Sequence, residues 1–338
     1  MTKKVRVGIV GAGNIARRYH IKGYVTSSEA DIVAVTDIVK DVAEQAASEY
    51  GITKVYDDFQ ELLQDDTIDA ISICVPNQFH APITIAALEA GKHVLVEKPV
   101  ALNLGEAYAM REAAQKNNAI VMVEYPMRFD SGYLKAKRLI DEGYLGDIVL
   151  VKGTWCHGGP EMYTKGKWFF SKELAGGGSL IDLGVHSIDI LRWLIGDIKD
   201  VTGFCSTLTK SIKVEDNAII SLQFKNGTLG LVDTSWSVRS VQVRTEIYGT
   251  KGRLLLQDSP VTSIEADFAD DLHGKLIIAH TKDTGDNDPH VKCVRHFVRC
   301  IAEGMKPDTA TLDDGIAALE VIMNVYENNY ATKKGNPV

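Results

Sequence analysis

An aspartate, a histidine and a second aspartate recur at helical spacing in an otherwise apolar stretch, residues 176–195. Asp182 and His186 are four residues apart, and Asp189 follows three residues later. On a helix, this spacing places the three side chains above one another on one face. Because so apolar a helix is expected to be buried, its polar side chains need hydrogen-bond partners or a chemical role.

Two hypotheses account for this group equally well. The first is a core histidine whose imidazole is satisfied by two carboxylates. The second is an acid–base group steered by a carboxylate, because the pKa of histidine suits proton transfer near neutral pH. The stretch alone does not decide between them, so the elements that would position it have to be considered.

A metal site formed by Asp182, His186 and Asp189 is a third hypothesis. Catalytic metal sites use three well-spaced ligands supported by an outer set of hydrogen-bonding partners. The sequence contains no further cluster of histidines and cysteines. We therefore expect no metal at this position.

Length, charge and cysteine content limit the class of protein. The 338 residues exceed one ordinary hydrophobic core, so two domains are expected. A net charge of −8 argues against nucleic-acid partners and anionic membrane surfaces, and no apolar run approaches the ~20 residues of a membrane span. Five scattered cysteines without a Cys-x-x-Cys pair favour a reducing cytoplasm over a disulfide framework.

The amino-terminal segment has the pattern of a strand, a glycine turn and a helix. A short β-branched run is followed by Gly11 and Gly13, and Ala16 completes the spacing. Such a turn lets backbone N–H groups approach a pyrophosphate at the start of a helix, here near Asn14 and Ile15. The context favours a dinucleotide site, although the spacing alone is a weak signal.

The second predicted strand ends at Asp37, which bears on the choice of dinucleotide. A carboxylate at this place can accept hydrogen bonds from the adenosine ribose and would repel a 2′-phosphate. We therefore expect NAD to be preferred, while the nearby Lys40 leaves NADP open. The alternative is that Asp37 only caps the following helix.

Strands and helices alternate along residues 1–125, which predicts a doubly wound parallel sheet. In such a sheet, ligands bind at the carboxyl ends of the strands. Polar or glycine residues follow four of the predicted strands, a pattern that core packing does not require. The predicted cofactor-binding residues are Gly11, Gly13, Asn14, Ile15, Asp37, Val75, Pro76, Asn77, His80, Glu97 and Lys98.

From residue 126 onward, strand-like runs are separated by turns such as Lys225-Asn226-Gly227, as in antiparallel hairpins. The predicted fold is α/β, with a Rossmann domain (1–125) followed by an α+β domain (126–338) that contains a large, mostly antiparallel sheet. We expect the second domain to bind substrate through donors and aromatic side chains around one loop. The predicted substrate-binding residues are Arg128, His157, Tyr163, Trp168, Asp182 and His186.

The sheet of the second domain also predicts self-association. Residues 218–236 are apolar on more than one face, and a sheet covered by helices on one face leaves the other in need of cover. Pairing of identical faces is the common solution. We expect a homodimer or a homotetramer assembled through this sheet.

Three stretches, taken together, resemble the glucose–fructose oxidoreductase / inositol dehydrogenase / MocA (Gfo/Idh/MocA) family. The first is GIVGAGNIA at residues 8–16. The second is VPNQFH at 75–80 with AGKHVLVEKP at 90–99, and the third is GGGSLIDLGVHSID at 176–189. The resemblance covers nearly the whole chain, and it is the order and separation of these motifs that make it specific.

The resemblance implies an NAD(P)-dependent dehydrogenase or reductase that acts on a secondary alcohol of a sugar, cyclitol or sugar acid. It also implies that Lys98, Asp182 and His186 form the catalytic group. The Lys98 ammonium can then hold the reacting oxygen and His186 can act as the base, with the hydroxyl between them over the nicotinamide. The alternative for Lys98 is an exposed lysine before a turn.

Two other functions remain open from the sequence. One is a dinucleotide-binding regulator that does no chemistry, although such a protein need not keep Lys98, Asp182 and His186, and all three are present. The other is a redox-neutral, NAD-assisted glycoside-cleaving enzyme. Tightly bound NAD without net formation of NADH would favour that chemistry. The sequence does not identify the polyol.

Overall fold

The computed structural model describes residues 4–257, 262–268, 274–280 and 284–334. The chain divides into two compact units. Unit 1 comprises Met1–Phe129 and Thr284–Ile316, and unit 2 comprises Asp130–Asp283 and Ala317–Val338. Each unit has its own sheet and its own core, and each is described by itself.

Among the described residues, strands and helices alternate in the first part of the chain, and strands predominate in the part that follows. The strands are β1 (Val5–Val10), β2 (Ala30–Thr36), β3 (Lys54–Tyr56), β4 (Ala70–Ile73), β5 (His93–Val96), β6 (Val121–Val123), β7 (Ile148–Cys156), β8 (Ile198–Ser206), β9 (Asn217–Phe224), β10 (Leu229–Ser235), β11 (Gln242–Gly249), β12 (Gly252–Gln257), β13 (Thr262–Phe268) and β14 (Gly274–His280). The helices are α1 (Ile21–Val25), α2 (Lys40–Tyr50), α3 (Phe59–Leu63), α4 (His80–Glu89), α5 (Leu104–Lys116), α6 (Ser131–Asp141), α7 (Lys172–Ala175), α8 (Val185–Ile195), α9 (Pro289–Glu303) and α10 (Leu312–Lys334).

The sheet of unit 1 has the order β3-β2-β1-β4-β5-β6, and its adjacent strands are parallel. Its central strands form because continuous apolar runs are buried on both faces: all residues of β4 and β6 are buried. The strand order reverses between β1 and β4, which makes the carboxyl ends of these strands the expected ligand edge. The predicted doubly wound sheet is confirmed.

The segment Thr284–Ile316 packs with unit 1. An ideal Cβ built on Gly23 of α1 would lie 2.6 Å from the Cβ of Val294 in α9, so the two helices touch closely. The sequence-based division instead assigns the whole of 126–338 to the second domain. Amphipathic periodicity predicts that a helix such as α9 exists, but it does not say which sheet the helix covers.

The sheet of unit 2 has the order β14-β13-β12-β11-β7-β10-β9-β8. Strands β7 and β10 pair in parallel, and the other adjacent strands are antiparallel. The prediction of a large, mostly antiparallel sheet is therefore confirmed. Helix α8 lies against β7, where an ideal Cβ on Gly153 would come within 2.9 Å of the Ser187 Cβ.

The two faces of this sheet differ in burial. Along β9, Ala218 and Ile220 are buried, whereas Ile219 between them is 57% exposed. Phe204 of β8 lies directly opposite Ile219 and is 81% exposed. Leu229 of β10 lies on the same face and is 55% exposed. The face turned away from Ala218 and Ile220 thus carries large apolar side chains in the open.

Candidate active site

The glycine turn after β1 is shaped for a close approach of backbone. Gly11 has a φ of +88°, and an ideal Cβ there would lie 2.4 Å from the carbonyl oxygen of Cys74. Only glycine fits such a position. By contrast, an ideal Cβ on Gly13 would meet no atom within 4 Å, and Gly13, Asn14 and Ile15 are exposed. The start of the helix is therefore open to a pyrophosphate, as a dinucleotide requires.

Asp37 holds this turn in place from the end of β2. Its Oδ2 accepts a hydrogen bond from the Ala12 N–H at 2.8 Å, and its Oδ1 accepts one from the Val39 N–H at 2.9 Å. A carboxylate has about four lone-pair sites, so acceptors remain for ribose hydroxyls. The nearby Lys40 ammonium is bonded to Asp57 at 2.8 Å in an exposed pair.

Ile38 is a further candidate for the cofactor site that the sequence did not indicate. Its side chain is 98% exposed in the structure. It stands directly after Asp37 at the carboxyl end of β2, where a dinucleotide would place its adenosine. A large apolar side chain exposed at a ligand edge is the signal that could have found it. We add Ile38 to the candidate cofactor site.

The segment after β4 forms a short 3₁₀ turn, Asn77–Phe79, with Pro76 before it. His80 follows, and it is fully buried. Its Nδ1 lies 2.7 Å from the Pro99 carbonyl oxygen, and its Nε2 lies 2.8 Å from the Val75 carbonyl oxygen. Burial lowers the pKa of His80, and the neutral ring can donate to only one of the two carbonyls.

This environment changes the prediction for His80. The sequence predicts a residue that binds the cofactor directly, whereas both ring nitrogens are engaged by the backbone and the side chain is inaccessible. His80 instead ties the end of β4 to the turn after β5. In the sequence, His80 directly follows the predicted cofactor-binding turn at residues 75–77. That position did not reveal that its side chain points into the interior.

The Glu97-Lys98-Pro99 turn lies at the end of β5, and its Lys98–Pro99 peptide bond is cis. Glu97 Oε2 accepts a hydrogen bond from the Lys98 N–H at 3.2 Å. Glu97 Oε1 lies 3.0 Å from the Nε2 of His20, a residue that sequence reasoning missed. Lys98 itself is partly exposed at the carboxyl edge of the sheet.

Arg128, predicted to bind substrate, lies in unit 1 in a buried ion pair. Only 3% of its surface is exposed, and its Nη2 is 3.0 Å from Asp314 Oδ1. Nη1 donates to the Thr309 hydroxyl at 3.2 Å. Since the charge is already matched inside the protein, we leave Arg128 out of the proposed substrate site. The arginine side chain predicted a hydrogen-bond donor. The sequence did not reveal its partner Asp314, which lies 186 positions further along the chain.

In unit 2, Asp182 lies in a π-helical turn, Leu180–Gly184, that leads into α8. Its side chain is nearly buried, with 6% exposed. Asp182 Oδ2 accepts hydrogen bonds from the Trp236 Nε1–H at 3.2 Å and from the Tyr163 hydroxyl at 3.5 Å. The carboxylate is therefore fixed by an indole from β10's end and by the loop before α7.

His186 lies in the first turn of α8, and its ring is partly exposed. The indole of Trp155 stacks on it, with ring centroids 4.4 Å apart and an angle of 23° between the planes. Asp189, one turn later, is 1% exposed. Asp182 and His186 thus contact aromatic side chains, while Asp189 lies on a buried face of α8.

The other predicted substrate residues of unit 2 belong to one aromatic cluster. His157 meets Tyr163 edge to face, with centroids 5.6 Å apart, and its Nδ1 accepts a hydrogen bond from the Gly159 N–H at 2.9 Å. Trp168 stacks on Phe169 at 3.7 Å. His157 is nearly buried, whereas Tyr163 is 42% exposed. Phe169 also meets Tyr163 edge to face, with centroids 6.2 Å apart. The structure therefore joins His157, Tyr163 and Trp168 in one cluster, and Tyr163 links this cluster to Asp182.

Two family profiles cover most of the chain. The model of the GFO_IDH_MocA oxidoreductase family with an NAD-binding Rossmann fold matches residues 5–125. The model of the GFO/IDH/MocA C-terminal domain matches residues 133–255. The scyllo-inositol 2-dehydrogenase (NAD(+)) of Bacillus subtilis (strain 168) is 33% identical, over 96% of this chain and 96% of the relative. The myo-inositol 2-dehydrogenase of Thermotoga maritima is 27% identical, over 98% of this chain and 96% of the relative.

Solved structures agree with these matches. Levoglucosan dehydrogenase in complex with NADH and levoglucosan superposes with a TM-score of 0.89 and 25% identity, over 97% of this chain and 98% of that chain. The family predicted from the three motifs is thereby confirmed, as are the Rossmann fold and NAD as cofactor. Among the described residues, no helix has the length and apolar character that crossing a membrane demands.

Proposed function

This chain belongs to the Gfo/Idh/MocA oxidoreductase family of NAD-dependent sugar and cyclitol dehydrogenases, and we propose that its substrate is a cyclitol, oxidised at a secondary hydroxyl. The observation that carries the proposal is the 33% identity to a scyllo-inositol dehydrogenase over 96% of both chains.

Three side chains are proposed to act on the reacting hydroxyl. They are assigned to one catalytic group because of the resemblance to the family. Lys98 holds the hydroxyl oxygen and stabilises negative charge that develops on it. His186 removes the hydroxyl proton, or returns it in the reductive direction. Asp182 orients the reacting hydroxyl of the substrate. NAD, when bound, supplies the acceptor for the hydride.

The environment of Asp182 and His186 in unit 2 supports these roles over a purely structural pair. Asp182 is held by two hydrogen-bond donors, which keep the carboxylate in one place. Trp155 stacks on the ring of His186 and fixes its plane, and His186 is only partly buried.

For the cofactor, Asp37 and the glycine turn carry the proposal. Its carboxylate would accept the ribose hydroxyls of NAD and repel the 2′-phosphate of NADP. Gly13, Asn14 and Ile15 would present backbone N–H groups to the pyrophosphate. Ile38 would lie beside the adenine. Each of these assignments rests on residues of unit 1 that are exposed or have acceptors to spare.

For the substrate, His157, Tyr163 and Trp168 are proposed to recognise the ring and its hydroxyls. Aromatic faces suit the apolar faces of a polyol ring, and the Tyr163 hydroxyl suits hydrogen bonding. The contact of Tyr163 with Asp182 and that of His157 with Tyr163 support the assignment. Asp182 and His186 complete the set.

The open face of the unit 2 sheet supports the proposal of a homo-oligomer. Phe204, Ile219 and Leu229 expose apolar surface on adjacent strands of that face. Such a patch marks an interaction surface, and a second copy of the chain offers an identical apolar face. We propose a homodimer or homotetramer assembled through it.

The compartment is also a proposal. Cys74, Cys156, Cys293 and Cys300 are free thiols, which suits a reducing cytoplasm. Burial raises the pKa of the Cys74 thiol, so it is protected from oxidation by both burial and protonation.

The test is a screen of the purified chain with NAD and NADP against inositols, aldoses, glucosides and sugar acids, followed by NADH absorbance. We expect the highest kcat/KM with NAD and an inositol. Turnover confined to an aldose or a glucoside would overturn the cyclitol proposal while leaving the family intact. Product formation without net NADH would instead indicate redox-neutral chemistry.

A further inference from the structure

The loop that carries the proposed substrate residues is held by a second loop of unit 2. The substrate loop, residues 157–170, lies between β7 and α7, and the supporting loop, residues 207–216, lies between β8 and β9. The substrate loop contains His157, Tyr163 and Trp168. Most of its residues from 161 to 167 are exposed. Because exposed loop residues have few neighbours, the shape of this loop depends on a small number of contacts.

The supporting loop is folded around one buried carboxylate. Asp216 is fully buried, and its oxygens accept hydrogen bonds from the N–H groups of Leu208, Thr209 and Lys210 at 2.7–2.9 Å. The Ser237 hydroxyl also donates to it, at 2.9 Å. Three consecutive N–H groups that bond to one carboxylate give the loop a defined shape. That shape fixes the position from which Lys210 extends.

Lys210 reaches from the supporting loop to the substrate loop. Its ammonium donates to the Gly158 carbonyl oxygen at 3.0 Å and to Glu161 Oε1 at 2.8 Å. The lysine side chain is only 18% exposed, so these acceptors replace much of the water around the charge. Gly158 lies just before the 3₁₀ turn Pro160–Met162, and Glu161 lies within it. Lys210 thus holds the turn that directly precedes Tyr163.

The backbone of the substrate loop is shaped to admit this ammonium. Gly159 has a φ of +107°, a conformation that suits glycine. An ideal Cβ at this position would lie 2.8 Å from the Lys210 Nζ and would overlap Glu161 Oε2. The glycine therefore leaves open the space in which the lysine and the carboxylate meet.

The two loops also share an apolar cluster. Val214 of the supporting loop and Trp236 belong to this buried cluster, and Ile212 and Phe169 pack against it. The Trp236 Nε1–H donates to Asp182 at 3.2 Å. The supporting loop is therefore connected both to the substrate loop and to the tryptophan that holds Asp182.

We propose that Lys210 is a positioning residue: it holds the turn at residues 158–163 in the shape that presents Tyr163 to the substrate, and so it helps to set how tightly the polyol binds. The inference rests on the substrate role proposed for the loop. A loop that is already ordered costs less free energy to fix when a ligand binds. Without the Lys210 ammonium, substrate binding has to supply that ordering, and the cost appears in KM.

The discriminating variant is Lys210→Met, which keeps an unbranched apolar stem but removes the ammonium. We expect KM for the preferred cyclitol to rise about tenfold while kcat changes much less, because Lys98 and His186 are untouched. The Kd for NAD should not change, since the glycine turn and Asp37 belong to unit 1. A general loss of folded protein would lower the melting temperature and would not separate KM from kcat in this way.

The matched control is Lys225→Met. Lys225 lies between β9 and β10 of the same sheet, and its ammonium is 2.9 Å from Asp197 Oδ2 in an exposed pair. The two variants remove the same group from an ion pair of one unit, so an effect of lost charge alone would show in both. Lys225→Met should leave KM at the wild-type value.

Limited proteolysis reads the loop without turnover. Lys165 and Lys167 are exposed in the substrate loop, and trypsin cleaves after them more readily when the loop opens. Mass spectrometry should show several-fold faster cleavage at these two sites in Lys210→Met and the wild-type rate in Lys225→Met.

Glu161→Ala is a second variant that removes the other half of the ion pair at an exposed position. It should also raise KM and speed cleavage of the loop. Adding Lys210→Met to Glu161→Ala should have less effect than Lys210→Met has in the wild type, because the two side chains act through one contact. Fully additive effects would count against the ion pair as the means of positioning.

An unchanged KM or an unchanged cleavage rate in a folded Lys210→Met variant would overturn the proposal. Tyr163→Ala separates that failure from a failure of the proposed function. If Tyr163→Ala also left KM unchanged, the substrate role of the loop would be wrong, and the cleavage rate of Lys210→Met would still show whether Lys210 holds the loop.

Discussion

Asp37 had two interpretations in the sequence, a ribose-binding carboxylate or a cap of the following helix. The structure shows the carboxylate accepting the N–H groups of Ala12 and Val39. Helix α2 itself has Val39 as its N-cap and no side-chain cap hydrogen bond, so the cap interpretation is wrong, and the remaining acceptors suit the proposed cofactor role. Residue type and strand-end position predicted a carboxylate at this edge of the sheet, whereas the bond to Ala12 could not be read from spacing.

The preference for NAD over NADP should be about tenfold or more, since one ribose-binding carboxylate is worth ~1.4 kcal/mol or more. Asp37→Asn is the sharpest variant, because the amide oxygen can keep the bond to the Ala12 N–H while the negative charge is lost. We expect the ratio of kcat/KM values for the two cofactors to narrow toward one. Equal use of NAD and NADP by the wild-type chain would contradict the assignment.

The surroundings of Asp182 and His186, in the third motif, were predictable only in part. The spacing of Asp182 and His186 pointed to one helix face, but Trp236 and Trp155, which hold the two side chains, come from strands far along the chain. Arg128 and His80 show that residue type alone can also predict a ligand where the structure has none. Their residue types suit ligands, but burial and partners distant in sequence assign them to the interior.

At the scale of elements, the alternation of strands and helices and the glycine turn were predictable because each has a strong local signal. The two π-helical turns were not. A π turn widens a helix without a characteristic residue type, and such turns are frequent at functional sites. One of them contains Asp182, so an element that would position the proposed catalytic group is one that local sequence patterns describe poorly.

The glycine turn gives a prediction that separates folding from cofactor binding. Gly11→Ala combines a positive φ with a Cβ placed against the Cys74 carbonyl, and strain of this kind costs roughly 1–3 kcal/mol. We expect a lower melting temperature and weaker NAD binding. Gly13→Ala has open space for its Cβ, so it should keep the melting temperature but weaken NAD binding.

Calorimetric Kd values for NAD and thermal melts measure both effects. If Gly13→Ala bound NAD as tightly as the wild type, the pyrophosphate would not approach this turn. If Gly11→Ala melted at the wild-type temperature, the close approach to Cys74 would be unimportant for stability.

At the scale of the whole molecule, the sequence predicted two domains but placed α9 in the wrong one for packing. Helix α9 returns to unit 1 and packs on α1. Chain order suggests contiguous domains, and an amphipathic helix carries no mark of the surface that it covers. The open face of the unit 2 sheet, in contrast, was expected from the apolar character of residues 218–236.

Assembly through that face should depend on its apolar strands. Phe204→Lys combined with Ile219→Lys places two charges opposite each other on the exposed face, which should lower the mass measured by light scattering to that of a monomer at micromolar concentration. The control is Val25→Lys, an exposed apolar residue of unit 1, which should leave the mass unchanged. A wild-type monomer under the same conditions would contradict the proposed interface.

The most direct test of the account is the kcat for the preferred cyclitol, measured as NADH formation by the wild type, Lys98→Ala, His186→Ala and the double variant. Each single variant should lose about 10²–10⁴-fold in kcat and still bind NAD, because the glycine turn and Asp37 are intact. The double variant should lose less than the product of the two losses, since groups that act as a unit are not additive. Near-normal turnover in His186→Ala would contradict the account and leave His186 as a core histidine.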